Sequence, residues 1–277
     1  MNITIRNLHS NKEYFEIIEL QKIIWRLHNY NDCIPNHIYM AVSEIGGVVL
    51  GAFAGKKMVG FLMAFVGHTE EKGVHHHSHI LGVHPDYASD NIGFRLKKAH
   101  YDSAKPQGIK LITWTYDPLQ GPNATLNISK LGGIVRTYKV NYYGEVMGES
   151  DLVSGIASDR FWVEWLIQTE RVKNHVNGSS KPKNNLSEYT IITEVEKDES
   201  NFKKMTNFHK PTIEKIAIEI PIDFQSIFDQ NKKIAIDWRL KTREIFLECF
   251  QSGYIVTGFV HTQNGNFYLL QKNFYMK

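Results

Sequence analysis

From Gly46 to Gly67 the chain is apolar almost without relief, GGVVLGAFAGKKMVGFLMAFVG, and its charged interruption is Lys56 and Lys57, directly after Gly55. Two ammonium groups at mid-stretch stand where a membrane span tolerates charge least. The same residues read instead as two β-strands joined by an Ala-Gly-Lys-Lys turn. A third long strand, HHSHILGV, follows the polar loop HTEEKGV. Three strands in sequence predict an antiparallel meander.

The flanking segments extend this pattern. Ile3 and Ile5 mark a short strand, and Asn11 is the expected N-cap of a helix whose apolar positions are Phe15, Ile18, Ile23 and Trp25. After the meander the chain turns at His84-Pro85-Asp86-Tyr87, and Ile92, Leu96 and Ala99 have helical spacing. A strand, IKLITWTYDP, leads to a short helix, NATLNISKLGG, with Asn123 as its N-cap. Two more strands, IVRTYKVNYYGE and DRFWVEWLIQ, complete a β-α-β-β-β-α-β-α-β-β order.

Residues 173–187 are rich in Asn, Ser, Lys and Gly, the composition of a linker. The expected organisation is a domain over 1–172, a polar linker over 173–187, and a small α/β module over 188–277 packed on the first domain. That module reads as strands EYTIITEVEK and EKIAIEIP, a helix from Gln230 to Ser252, and a hairpin turning at Asn264-Gly265. A chain of 277 residues suits one full domain and a smaller companion.

With 42% hydrophobic and 22% charged residues, the chain has the material for an ordinary globular core. Its 32 basic and 29 acidic residues leave a net charge of +3, too little to imply a nucleic-acid or anionic-membrane partner. Cys33 and Cys249 form no metal-like spacing, and the alternating N-terminus shows no secretory pattern. A cytoplasmic protein with no metal is expected, and a homodimer is compatible with this composition.

The segment LGVHPDYASDNIGFRLKKA joins a strand, a turn and a helix start, where unpaired backbone N–H groups and the helix dipole suit a phosphate. Leu81 to Leu96, followed by WTYDP and NATLNISKLGG, resembles the GNAT superfamily of N-acyltransferases. Its motif R/Q-x-x-G-x-G/A falls on Ala88-Ser89-Asp90-Asn91-Ile92-Gly93, and KLGG looks like the family's KLGF ending. Together SHILGVHP, LITWTYDPL, NATLNISKLGG, NYYGE and SDRFWVEW resemble a group of predicted GNAT proteins over the first two thirds of the chain.

This resemblance implies an α/β (α+β) fold with a mixed, mostly antiparallel central sheet flanked by helices. It implies acetyl-CoA or another acyl-CoA as co-substrate, held where two central strands splay apart. Backbone N–H groups of Asp90, Asn91, Ile92, Gly93 and Phe94 would receive the pyrophosphate. Leu81, Gly82 and Val83 would meet the pantetheine arm and polarise the thioester, and Asn123 would lie near the coenzyme. The expected reaction moves an acyl group to an amine of a small-molecule acceptor. The alternative is a catalytically degenerate GNAT-fold protein that binds a ligand or partner. Three residues depart from the family pattern: Ala88 replaces Arg or Gln, Asn91 replaces the first Gly, and Ile128 stands where many members carry a tyrosine that protonates coenzyme A. Asn91 tolerates a left-handed turn.

Acyl transfer to an amine needs a base, and an acid for the leaving thiolate. Strand alternation sets His75, His77 and His79 on one face and His76 and Ser78 on the other. His79, nearest the thioester strand, is the first candidate for the base. The histidine run gains no metal reading without a partner carboxylate or cysteine motif. Asp117, at the end of its strand, is the second candidate base, and Tyr116, Tyr138, Tyr142 and Tyr143 are candidate donors or pocket walls. Arg239 and Arg243, i and i+4 on a helix, would hold an anionic substrate or the coenzyme's 3′-phosphate, or make salt bridges with Asp237, Glu244 or the facing domain.

Overall fold

The computed structural model describes residues 2–144, 155–179, 185–197 and 202–275; residues 180–184 of the expected linker lie outside the described residues. Two compact units share the chain, one comprising 1–114, 147–154 and 166–168, the other 115–146, 155–165 and 169–277. The chain passes between them after Trp114.

The first unit orders β1 (Ile3–Asn7), β2 (Val48–Ala54), β3 (Lys57–Thr69), β4 (Gly73–Val83) and β5 (Leu111–Tyr116) side by side. The meander pairs antiparallel as expected, and β5 lies parallel to β4. Strand alternation divides the core into two layers. Phe61 and Met63 of β3 pack with Tyr14, Ile17 and Leu20 of helix α1 (Asn11–Trp25) and with Tyr39 and Val42 of α2 (Asn36–Glu44). Leu62 and Ala64 face the opposite way, against Ile92 and Leu96 of α3 (Ile92–Ala104).

Two local features differ from expectation. Ser10, not Asn11, caps α1, because Ser-x-x-Glu closes a capping box: the Glu13 N–H donates to Ser10 Oγ and the Ser10 N–H donates to the Glu13 carboxylate. The additional helix α2 follows Pro35 as its N-cap and buries only Tyr39 and Val42, a two-residue stripe too sparse to read as helical periodicity. Among the described residues, no helix is long and apolar enough to cross a membrane.

The second unit contains α4 (Gly121–Ala124), which runs on as a π-helical turn over 125–130, then β6 (Ile134–Lys139), β7 (Arg160–Leu166) and α5 (Glu170–Asn177). There follow β8 (Thr190–Ile191), β9 (Thr193–Lys197), β10 (Lys203–Phe208), β11 (Lys215–Ile220), α6 (Phe224–Gln230), α7 (Lys232–Gln251), β12 (Ile255–His261) and β13 (Asn266–Gln271). Its main sheet runs β7-β6-β12-β13-β11-β8, and β9 with β10 forms a separate ribbon. The Asn264-Gly265 hairpin is present, with Thr262 Oγ1 accepting from the N–H groups of both residues. Helix α5 extends into the polar stretch expected from Lys173, since Thr169 caps its start and Gly178 its end. The helix expected over Gln230–Ser252 is α7, which starts at Lys232 because the Asn231 side chain caps it, and the short helix α6 precedes it. Asn123 lies inside the first turn of α4, with Gln120 at the N-cap position, because Pro122 suits the start of a helix.

Candidate functional site in the first unit

β4 and β5 pair at His76 with Ile112 and at His77 with Thr113. Beyond that point β4 continues to Val83 paired, among the described residues, with β3 alone. A parallel pair that stops this early leaves the backbone of residues 78–83 along an open edge. The register with β3 also shifts there: Ser78 faces Ala64, Ile80 faces Met63, and His79 is the extra residue of a β-bulge. The bulge reverses the alternation, so Ser78 and Leu81 both face α3, whereas Ile80 joins the α1 side. Gly82 is required at this edge, because a Cβ would meet Ile24 Cδ1 at 2.7 Å and the Phe61 ring at 2.9 Å.

His79 is exposed at the bulge, edge-on to Phe65 at 5.4 Å between ring centres and 6.5 Å from the His77 ring. Desolvation by the surrounding protein lowers its pKa, which favours the neutral imidazole that a base requires. His77 lies 2.9 Å from Thr113 through Nδ1, and burial with the neighbouring His79, Lys97 and His75 charges lowers its pKa to about 4.

Past β4 the chain makes a 3₁₀ turn over Pro85–Asp90 and enters α3 through Asn91 at φ 56°, ψ 24°. The left-handed turn expected of Asn91 is therefore formed. Asp90 and Asn91 are exposed, and the N–H groups of Ile92, Gly93 and Phe94 begin a thirteen-residue helix, where helical acceptors are lacking. These groups can receive an anion, and exposure lets the Asp90 carboxylate turn away from it.

Behind the edge lies a cluster that sequence pattern does not disclose. Lys97 Nζ is buried, donates to Ser78 Oγ at 3.0 Å and sits 3.5 Å from the centre of the Trp114 ring. His76 Nδ1 and His100 Nε2 are 3.1 Å apart in the same layer. Burial holds Lys97 and His100 well below their ordinary pKa values. Lys97 follows Leu96 in a helix of ordinary amphipathicity, so no pattern marks it as buried.

The remaining candidates belong to the second unit and are engaged there. Asp117 accepts from both terminal nitrogens of Arg239 at 2.8 and 2.6 Å and from the Leu119 N–H at 2.9 Å. Tyr116 is buried with its hydroxyl 3.2 Å from that of Tyr268, and burial raises its pKa. Tyr138 donates to Asp159, which also takes two bonds from Arg243. Of the partners expected for the two arginines, Asp237 and Glu244 are not the ones used; Asp117 and Asp159, both from the stretch expected as the first domain, take that place. Tyr142 and Tyr143 are exposed and in edge contact, Asn123 is exposed, and Ile128 is fully buried in the π-helical turn. Among the described residues no three His, Cys, Asp or Glu side chains converge as a metal site.

No known family profile matches the chain, and no curated protein matches its sequence. Among solved structures it is similar to a chain of the NatC complex bound to Gag peptide and CoA, with 14% identity, 60% of this chain and 99% of that one covered, and a TM-score of 0.47. It is similar to the ribosomal-protein-S18-alanine N-acetyltransferase of Escherichia coli, at 17% identity, 60% and 94% coverage, and a TM-score of 0.46. A GNAT-family acetyltransferase from Streptococcus pneumoniae shows 14% identity, 59% and 98% coverage, and a TM-score of 0.47.

Proposed function

We propose that this chain is an acyl-CoA-dependent N-acyltransferase of the GNAT type, moving an acetyl or other acyl group to the amine of a small-molecule acceptor. The observation that carries the reading is the open, bulged edge of β4, which leads directly into the left-handed Asn91 turn and the start of α3. An extended amide-bearing arm such as pantetheine can pair with the edge over Leu81, Gly82 and Val83 as an added strand would. Its pyrophosphate then meets the N–H groups from Asp90 to Phe94. The acceptor nitrogen attacks the thioester carbonyl, the C–S bond breaks, and the proton lost by the amine is taken by neutral His79, directly or through water. The coenzyme thiolate takes up a proton from solvent. Asp117 and Tyr116 serve as anchors in this reading, since their polar atoms are already bonded within the second unit.

Calorimetric titration of the full chain with acetyl-CoA tests the first step, and absence of binding at millimolar coenzyme removes the proposal. Thiol release over an amine panel tests the second. His79→Ala is expected to lower kcat by about 10²–10⁴ while leaving acetyl-CoA affinity unchanged; an unaltered kcat removes His79 as the base. The buried Ile128, where an acid is usual in the family, favours a second reading as a ligand-binding protein. Coenzyme binding without turnover of any amine selects it.

A further inference from the structure

The outer face of α1 exposes Phe15 and Ile23, at 56% and 51%, one helical turn to either side of Glu19. They border a groove of about 500 Å³ between α1 and the β2–β3 turn, with Leu20, Met58, Lys56 and Lys57 also in its lining. A second depression of about 440 Å³, more polar, shares Lys12, Glu16 and Lys56 with the first, so the two form one trough with an apolar end and a charged end.

The charges of the trough are unequally committed. Arg6 is paired with Glu13 at 2.6 Å, and Glu19 accepts from the Tyr30 hydroxyl at 2.7 Å with Lys22 at 3.8 Å. Among the described residues Lys12 and Lys56 make no ion pair, and Lys57 lies 5.6 Å from the centre of the Tyr87 ring. Glu16, the remaining carboxylate, shares the groove's lining with Lys12, Lys56 and Lys57. An apolar wall ending in uncompensated positive charge fits a molecule with an apolar body and one anionic end.

We infer that this trough binds a single-chain amphiphilic carboxylate, a medium-length fatty-acid anion. Its chain lies along Phe15, Leu20, Ile23 and Met58, and its carboxylate lies between Lys12 and Lys56. The groove also has His84 in its lining and so adjoins the turn that follows β4, but none of the residues that hold the chain or the carboxylate belongs to the β4 edge or the α3 start.

The probe is monomeric decanoate, titrated calorimetrically into the full chain beside decanol and decyltrimethylammonium. Decanoate is expected to saturate a single site and to bind at least about tenfold more tightly than either analogue. Lys12→Glu with Lys56→Glu is expected to weaken decanoate about tenfold or more. Ile23→Glu abolishes binding, with the thermal midpoint kept in both variants because all three residues are at the surface. Equal binding of the cation or the alcohol overturns the inference, as does indifference to the charge reversals. Association with anionic vesicles without saturable decanoate binding also overturns it.

Discussion

Arg239 and Asp117 form a bidentate ion pair, with Nη1 and Nη2 donating at 2.8 and 2.6 Å to the two carboxylate oxygens, and both residues are buried in the second unit. One turn further along α7, Arg243 grips Asp159 in the same two-bonded manner. Burial alone would push the Asp117 carboxyl up; the Arg239 charge and its hydrogen bonds outweigh that and hold it below its ordinary value.

Removing one partner of such a pair strands the other. Arg239→Ala or Asp117→Asn is expected to destabilise the protein by about 3–5 kcal/mol, and the double variant Arg239→Met with Asp117→Leu by less than the sum. Urea unfolding checks this, and additive losses would show that the two groups act independently. Because the native carboxyl is depressed, this contribution is present above the unfolded pKa near 3.8 and is lost as pH falls through the native value.

Lys97 gives a pH dependence in the alkaline range. Its native pKa lies well below 10.5, so between the two values the unfolded chain holds a proton that the native protein lacks. Stability from this group therefore rises with pH. The thermal midpoint should climb as pH rises from the native value towards 10.5, and Lys97→Met should flatten that rise. An identical slope in the variant would show that the amine is charged in the native protein.

His76, His77 and His100 act in the acid range with the same sign. Burial lowers all three, His77 to about 4, so the unfolded chain takes up protons first as pH falls below 6.5. Stability should drop from about pH 6.5 towards pH 4, ahead of the carboxylates. Circular dichroism melts at stepped pH should show the drop reduced in His76→Phe/His100→Phe, whereas a flat profile in the unmodified protein would refute it.

Asp90 tests where the coenzyme phosphates sit. Replacing its exposed carboxylate with a neutral amide, as in Asp90→Asn, should tighten acetyl-CoA binding by about 0.3–1 kcal/mol, with the gain fading at high salt. Unchanged or weaker binding would move the pyrophosphate away from the α3 start.

Asn91 tests the turn itself. At φ 56° a β-branched residue is strained, so Asn91→Val should cost about 1–2 kcal/mol while Asn91→Gly remains near neutral. Denaturant midpoints of the two variants decide it, and equal stability would mean that the turn rearranges freely.

Much of the first unit is legible in the sequence because its signals are local. Three apolar runs, their turn residues and the spacing of Ile92, Leu96 and Ala99 are each contained within about a dozen residues, the scale on which strand and helix periodicity operate. Asn91 is readable for the same reason, since a left-handed turn depends on the residue that occupies it. The cap of α1 is displaced by one residue from its expected place, because Ser10 and Asn11 are both good caps and only the reciprocal bond from Glu13 chooses between them.

Local sequence dictates the strand meander, the helix start after His84, and the histidines and carboxylates available for chemistry. Packing between distant segments settles which of those groups are free to act. Asp117 meets Arg239 across 122 residues, Lys97 meets Ser78 across 19, and β4 parts from β5 after His77. None of these pairings is encoded within a single turn or strand, and the burial that packing imposes sets charge state and access. A residue's type names the chemistry it can do, whereas its neighbours in space decide whether that chemistry remains available.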